Sequence, residues 1–361
     1  MILFNDFSKE PQILKKEINV AIQKVLDSGW FILGNELATF ESGFAGYIGT
    51  RYCIGVASGT EAIALALMAE HIGAGDEVIT TNLTAFPTIT GILQSGAKPV
   101  VVDILKSNGL IDYKKIQAKI TSNTKAIVPV HLYGQSCNLT EIKLIAAQNN
   151  LIVIEDCAQS AGADFNGMKC GAIGDCGAFS FYPTKNLGAY GDAGAITTNK
   201  EEVYTKLMAL RNYGQTKRYH HELAGINSRL DEIQAAILNV KLNYLEEMNE
   251  ERQSIALNYR THLKSVECLK EESYGKHANH LFVVKSRNRD KLHEYLQNKG
   301  IQTFIHYPIP VNRQKAFSGQ NDESFENSNQ FADAILSLPI YPGLSKNDLN
   351  QIIQTINECK F

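Results

Sequence analysis

Leu151-Ile152-Val153-Ile154-Glu155-Asp156 is a short apolar run that ends on two acids. Its length and β-branched content, with a helical pattern at 139–149 just before it, read as a buried strand. The same alternation recurs on both sides. Upstream, Glu77-Val78-Ile79-Thr80, Pro99-Val100-Val101-Val102 and Ala126-Ile127-Val128-Pro129-Val130 are strand-like, with helical segments at 85–95 and 113–120 between them. Apolar strands alternating with amphipathic helices imply a mostly parallel central sheet covered on both faces, an α/β architecture. Downstream, 177–181 and 194–198 are strand-like with no long helix between them. Both are expected in the same sheet, one of them antiparallel.

Helical spacing of Ile13, Leu14, Ile18, Ala21, Ile22, Val25 and Leu26 predicts a helix over 12–28, stopped by Gly29. Ser58-Gly59-Thr60-Glu61-Ala62 opens another, which runs to about His71. A long pattern from Leu230 through Ile233, Ile237, Val240, Tyr244, Leu245 and Met248 reads as one helix joining two domains. Ser228 and Asp231 form a capping-box pattern at its start. Beyond it, strand-like Leu281-Phe282-Val283-Val284 and a last helix from about Asp348 suggest a smaller α+β unit. The expected division is 1–245 and 246–361.

A chain of 361 residues suits one large and one smaller domain. A net charge of −3 with no basic run gives no footprint for nucleic acid or an acidic membrane. The start, Met1-Ile2-Leu3-Phe4-Asn5-Asp6-Phe7, lacks the pattern of a secretory signal, and no apolar stretch nears the ~18 residues of a membrane span. The seven cysteines are scattered without a Cys-x-x-Cys pair, so neither disulfides nor a metal site is expected. The cytoplasm is the expected address.

In open α/β sheets, ligands gather beyond the carboxyl ends of the strands. Three signals fall at such ends. Ser58-Gly59-Thr60 opens a helix whose free N–H groups can hold a phosphate, or whose hydroxyls merely cap it. Asp156 closes its strand as a charge partner or as a loop cap. Lys185, in Gly177-Ala178-Phe179-Ser180-Phe181-Tyr182-Pro183-Thr184-Lys185-Asn186-Leu187-Gly188, is a reactive amine or a solvated loop cation. Taken together they are what pyridoxal phosphate (PLP) needs. The lysine forms an imine with its aldehyde, the acid keeps its pyridine nitrogen protonated, and the glycine-rich turn seats its phosphate.

The chain resembles the PLP-dependent nucleotide-sugar aminotransferases of the DegT/StrS group, within the aspartate aminotransferase fold. The likeness is carried in order by 28–34, Ala57–Ala62, His131-Leu132-Tyr133-Gly134-Gln135, Glu155-Asp156-Cys157-Ala158-Gln159, Ser180–Gly188, Arg211-Asn212-Tyr213-Gly214 and 227–236. It implies PLP fold type I, with Lys185 as the catalytic imine lysine and proton shuttle. Asp156 is then expected at the pyridine nitrogen and Gln159 at the phenolic oxygen. Gly59, Thr60 and Ser180 are expected at the phosphate, joined by Asn227 from the neighbouring subunit of a homodimer with shared sites.

The implied reaction moves the amino group of L-glutamate to a nucleotide-linked keto-sugar. The segment after Lys185, with Tyr-Gly-Gln at 133–135 and Ile305-His306-Tyr307-Pro308, is similar to enzymes that aminate C3 of a dTDP-3-keto-6-deoxyhexose. Tyr182, His306 and Tyr307 are candidates for contacts to the hexose or pyrophosphate. His220 and His221 are candidates to reach across a dimer interface. Amination at C4, sugar dehydration and a non-enzymatic PLP-binding role are the alternatives; Lys185 argues against dehydration, since dehydratase relatives typically replace that lysine. Three positions depart from the family pattern: Ala193 for a glycine, Ala85 for an aromatic ring over the cofactor, and Asn312-Arg313 for a His-Leu pair.

Overall fold

The computed structural model describes residues 1–317 and 325–359. Its centre is a seven-stranded sheet. In chain order the strands are β1 (Tyr52–Val56), β2 (Glu77–Thr81), β3 (Lys98–Val102), β4 (Thr124–Val128), β5 (Ile152–Asp156), β8 (Cys176–Ser180) and β9 (Gly194–Thr198). A small hairpin of β6 (Asp164–Phe165) and β7 (Met168–Lys169) lies between β5 and β8. Spatial order is β1-β9-β8-β5-β4-β2-β3. β2, β3, β4, β5 and β8 are parallel, whereas β9 runs antiparallel to both β8 and β1. The expected antiparallel strand is therefore β9; β1, which the sequence reading passed over, forms the edge.

Helices cover both faces: α1 (Gln12–Ser28), α2 (Asn35–Ile48), α3 (Gly59–Ala69), α4 (Pro87–Gln94), α5 (Leu139–Asn149) and α6 (Glu201–Leu210). Period-2 alternation sorts the side chains of β8. Phe179 and Phe181 face α2, where they meet Phe44 edge-on at 4.9 and 5.2 Å between ring centres. Cys176 and Ala178 join the other core, with Leu65 and Leu67 of α3 and Leu207 of α6. Ser180 ends the strand on that second face, pointing towards the start of α3.

Three local readings need correction. Residues 113–120 form two 3-10 turns, Tyr113–Lys115 and Gln117–Lys119, instead of an α-helix. Only Ile116 of that stretch is fully buried, too little apolar surface to hold a longer helix. The pattern from Leu230 splits into α7 (Glu232–Leu242) and α8 (Leu245–His262). No capping box forms there either, because Ser228 Oγ accepts the Ala57 N–H instead. Glu232 turns away to accept the N–H groups of Gly34, Glu36 and Leu37, and so caps α2.

Beyond α6, a two-stranded ribbon of β10 (Gln215–Lys217) and β11 (His220–His221) stands exposed. A second sheet, antiparallel in the order β12 (Glu267–Cys268), β13 (Phe282–Lys285) and β14 (Ile335–Leu338), packs with α8, α9 (Arg289–Asn298) and α11 (Lys346–Glu358) around Tyr259, Leu296 and Ile352. Between them, α10 (Glu326–Ala334) leads into β14. Among the described residues no helix is long and apolar enough to cross a membrane, and all seven cysteines are free.

Candidate active site

β5 and β8 are neighbours in register, with Asp156 opposite Ala178, so their carboxyl ends open into one cavity of about 260 Å³. Gly59, Thr60, Asp156, Gln159, Ser180, Tyr182 and Lys185 all line it. The two groups on which the sequence reading depends therefore face the same space.

Each wall has a local cause. Ser58 caps α3 by accepting the Glu61 N–H, which leaves the first amides of the helix directed at the cavity. A Cβ on Gly59 would lie 2.6 Å from Ser180 Cβ, and one on Gly194 would lie 2.5 Å from the Ser58 carbonyl oxygen. Only glycines allow this helix to approach the sheet so closely. The result is a cradle of amide and hydroxyl groups suited to a phosphate.

Asp156 is only 4% exposed. Its carboxylate accepts hydrogen bonds from Thr88 Oγ1 at 2.8 Å and from the Ala158 N–H at 3.1 Å. Thr88 in turn shares a 2.8 Å hydrogen bond with Thr84. Burial raises the Asp156 pKa, opposed by those two hydrogen bonds and by the Lys185 charge. Lys185 responds in the opposite sense. Burial lowers its amine to about 8, against the attraction of Asp156. Its loop is held by Asn186, which donates to Asn249 Oδ1 of α8 at 2.7 Å and to the Ala278 carbonyl at 2.8 Å.

Behind Asp156, His131, Glu155 and Cys157 bring ligand-type atoms within 4.8 Å of one another. Those of the first two are already engaged. Glu155 accepts from His131 Nε2 at 3.0 Å and from the N–H groups of Gly171, Ile173 and Gly174. His131 Nδ1 accepts the Cys137 N–H. Burial opposes ionisation of Glu155, yet these donors bring its pKa below the usual value. The cluster braces the end of β5.

Other expected residues lie further out. Gln159 lines the cavity, but its amide accepts the Tyr133 N–H and donates to Tyr307 Oη at 2.9 Å. His306 lines a neighbouring cavity, with Nδ1 at 2.9 Å from Ser337 Oγ. Its carbonyl accepts from Tyr133 Oη. Burial pushes the His306 pKa down to about 4, so the ring is neutral at pH 7. His220 and His221 sit on the exposed ribbon, and Asn227, also exposed, bridges to Asn212; none of the three lines this cavity within one chain. Ala85 lines it directly, whereas Phe86 turns to Ile89, Val101 and Val311. Asn312 is spent on a reciprocal pair of hydrogen bonds with Asn82.

Thr84, Thr88 and Asn249 were not singled out from the sequence. Thr84 lies in the bend before α4 and Thr88 in its first turn, so no sequence periodicity linked them to Asp156.

A half-buried amine and a buried acid at adjacent strand ends, with an anion cradle beside them, define an enzyme of the aspartate aminotransferase-like fold. The chain belongs to the DegT/DnrJ/EryC1/StrS aminotransferase family, whose model matches residues 12–357. It is similar to a dTDP-3-amino-3,6-dideoxy-α-D-galactopyranose transaminase of Aneurinibacillus thermoaerophilus, 48% identical over 99% of both chains. A UDP-N-acetyl-3-dehydro-α-D-glucosamine 3-aminotransferase of Acidithiobacillus ferrooxidans is 42% identical, over 95% of this chain and 94% of its own. Among solved structures, that of DesV from S. venezuelae superposes with a TM-score of 0.96 at 38% identity, covering 99% of this chain and 98% of the other.

Proposed function

We propose that this chain is a PLP-dependent aminotransferase that moves the amino group of L-glutamate to C3 of a dTDP-3-keto-6-deoxyhexose. The observation that carries the reading is the convergence of Lys185 and Asp156 on one cavity that ends in the Gly59–Ser180 cradle. When bound, PLP supplies an electron sink for the bonds at the amino-bearing carbon. Asp156 holds the proton at the ring nitrogen. Lys185 Nζ, with a pKa of about 8, takes and returns the proton at the substrate carbon near neutral pH. Gly59, Thr60 and Ser180 hold the phosphate, and Gln159 faces the phenolic oxygen.

Tyr182 at the cavity rim, with His306 and Tyr307 beside it, contacts the sugar nucleotide in this reading. Asn227, His220 and His221 complete the site of a second subunit in a homodimer, which accounts for their exposure in one chain. Free cysteines throughout suit a reducing cytoplasm. C3 is favoured by the segment after Lys185 and by relatives whose names place the new amine at that carbon. The test is a side-by-side product assay with dTDP-3-keto- and dTDP-4-keto-6-deoxyhexoses and glutamate as donor. Amine is expected on the 3-keto sugar, and product from the 4-keto sugar alone overturns the C3 assignment.

A further inference from the structure

Arg252 of α8 is 5% exposed, yet among the described residues its only acceptor is the Ile340 carbonyl, reached by Nη1 at 2.7 Å. Its Nε is buried without any partner. A guanidinium taken out of water normally finds a carboxylate or several carbonyls, because an uncompensated buried charge is strongly unfavourable. Burial lowers its pKa only to about 10, so it stays charged at neutral pH.

Arg252 lines two cavities on either side of the lysine loop. The smaller, about 50 Å³, includes Lys185 itself; the larger, about 250 Å³, includes Thr184, Phe4, His280 and His306. Both imidazoles are held neutral by burial and by nearby cations, so Arg252 is the fixed positive charge of the larger cavity. That volume lies below the ~300–1,000 Å³ of sites for drug-sized ligands, which suits a small metabolite. One planar cation among neutral and apolar walls matches a carboxylate better than a phosphate dianion, which calls for more charge.

We propose that Arg252 anchors a carboxylate of the amino donor in this cavity, beside Thr184 of the lysine loop. The proposal deepens the reading of L-glutamate as donor and rests on it.

The test titrates glutarate, which keeps both carboxylates but has neither amine nor ketone, into holoenzyme and follows binding by calorimetry. Wild type is expected to bind it, Arg252→Met to bind at least tenfold more weakly, and Arg252→Lys to fall between. The affinity for dTDP is expected to stay within about twofold in both variants, a split that a merely structural role would not produce. Among the described residues Arg252 has no ion-pair partner, so Arg252→Met leaves no opposite charge buried and is expected to fold. Should it not, Arg252→Lys carries the same comparison. Equal glutarate affinity in wild type and variants overturns the proposal, as does parallel loss of dTDP binding or no glutarate binding by wild type. Wild type that binds glutarate while L-glutamate leaves the cofactor absorbance unaltered overturns the donor assignment alone.

Discussion

Asp156 is buried, but two of its acceptor positions are fixed by Thr88 and the Ala158 amide, so its remaining lone pairs have a set direction. Thr88→Val keeps the shape and removes the hydroxyl. A hydrogen bond to a charged group contributes ~1.5–3 kcal/mol, so cofactor affinity is expected to fall about tenfold or more. Thr88→Ser should restore most of it, and a cofactor titration followed by absorbance measures both. The amine of Lys185 must be neutral to attack an aldehyde, so cofactor capture by apoenzyme should accelerate as pH rises through about 8. Neutral amine grows from roughly a tenth at pH 7 to about nine-tenths at pH 9. The Asp156 charge holds that pKa up, so Asp156→Asn should move the midpoint to lower pH in a stopped-flow series. Lys185 and Asp156 were legible in the sequence because their motifs are local. Thr88 was not: a threonine at a helix start reads as a cap until the fold sets it against β5.

In the proposed function the α3 start, the ends of β5 and β8 and the turn into β9 make the cofactor seat as one unit. Gly59→Ala tests it. The new Cβ would meet Ser180 Cβ at 2.6 Å and its Cα at 3.1 Å, and strand backbone cannot give way as a side chain tip can. Circular dichroism is expected to stay near wild type while cofactor affinity falls by more than tenfold; unchanged affinity would show that helix and strand can separate freely. Element boundaries were the weaker part of the sequence reading. Helical spacing runs on from Leu230 past Met248, yet Asn243-Tyr244 breaks it, and Ser228 serves β1 instead of its own helix. Period and composition register which face is apolar. They do not register a long-range partner that competes for a capping group.

In one chain, Trp30 is 63% exposed, Phe31 and Ile32 are exposed too, and the chain there is tied to the start of α7 by the Glu232 N–H to Phe31 carbonyl bond. The proposed homodimer with shared sites would cover these exposed apolar side chains together with the exposed Asn227 and ribbon histidines. Lys185→Ala and Asn227→Ala, each of low activity alone, are expected to recover part of the activity when mixed and refolded together. That follows because one of the two sites in a mixed dimer would then be intact; no recovery would place Asn227 in its own subunit's site. The alternation of strands and helices from β2 to β5, the family, and the candidate amine and acid could be read from the sequence itself, since periodicity and contiguous motifs are local properties of a chain. The threonine pair behind Asp156, the brace of His131 on Glu155 and the solitary charge of Arg252 join residues tens to hundreds of positions apart. Only packing brings such groups together, because burial and the competition for hydrogen-bond partners are settled by the fold as a whole.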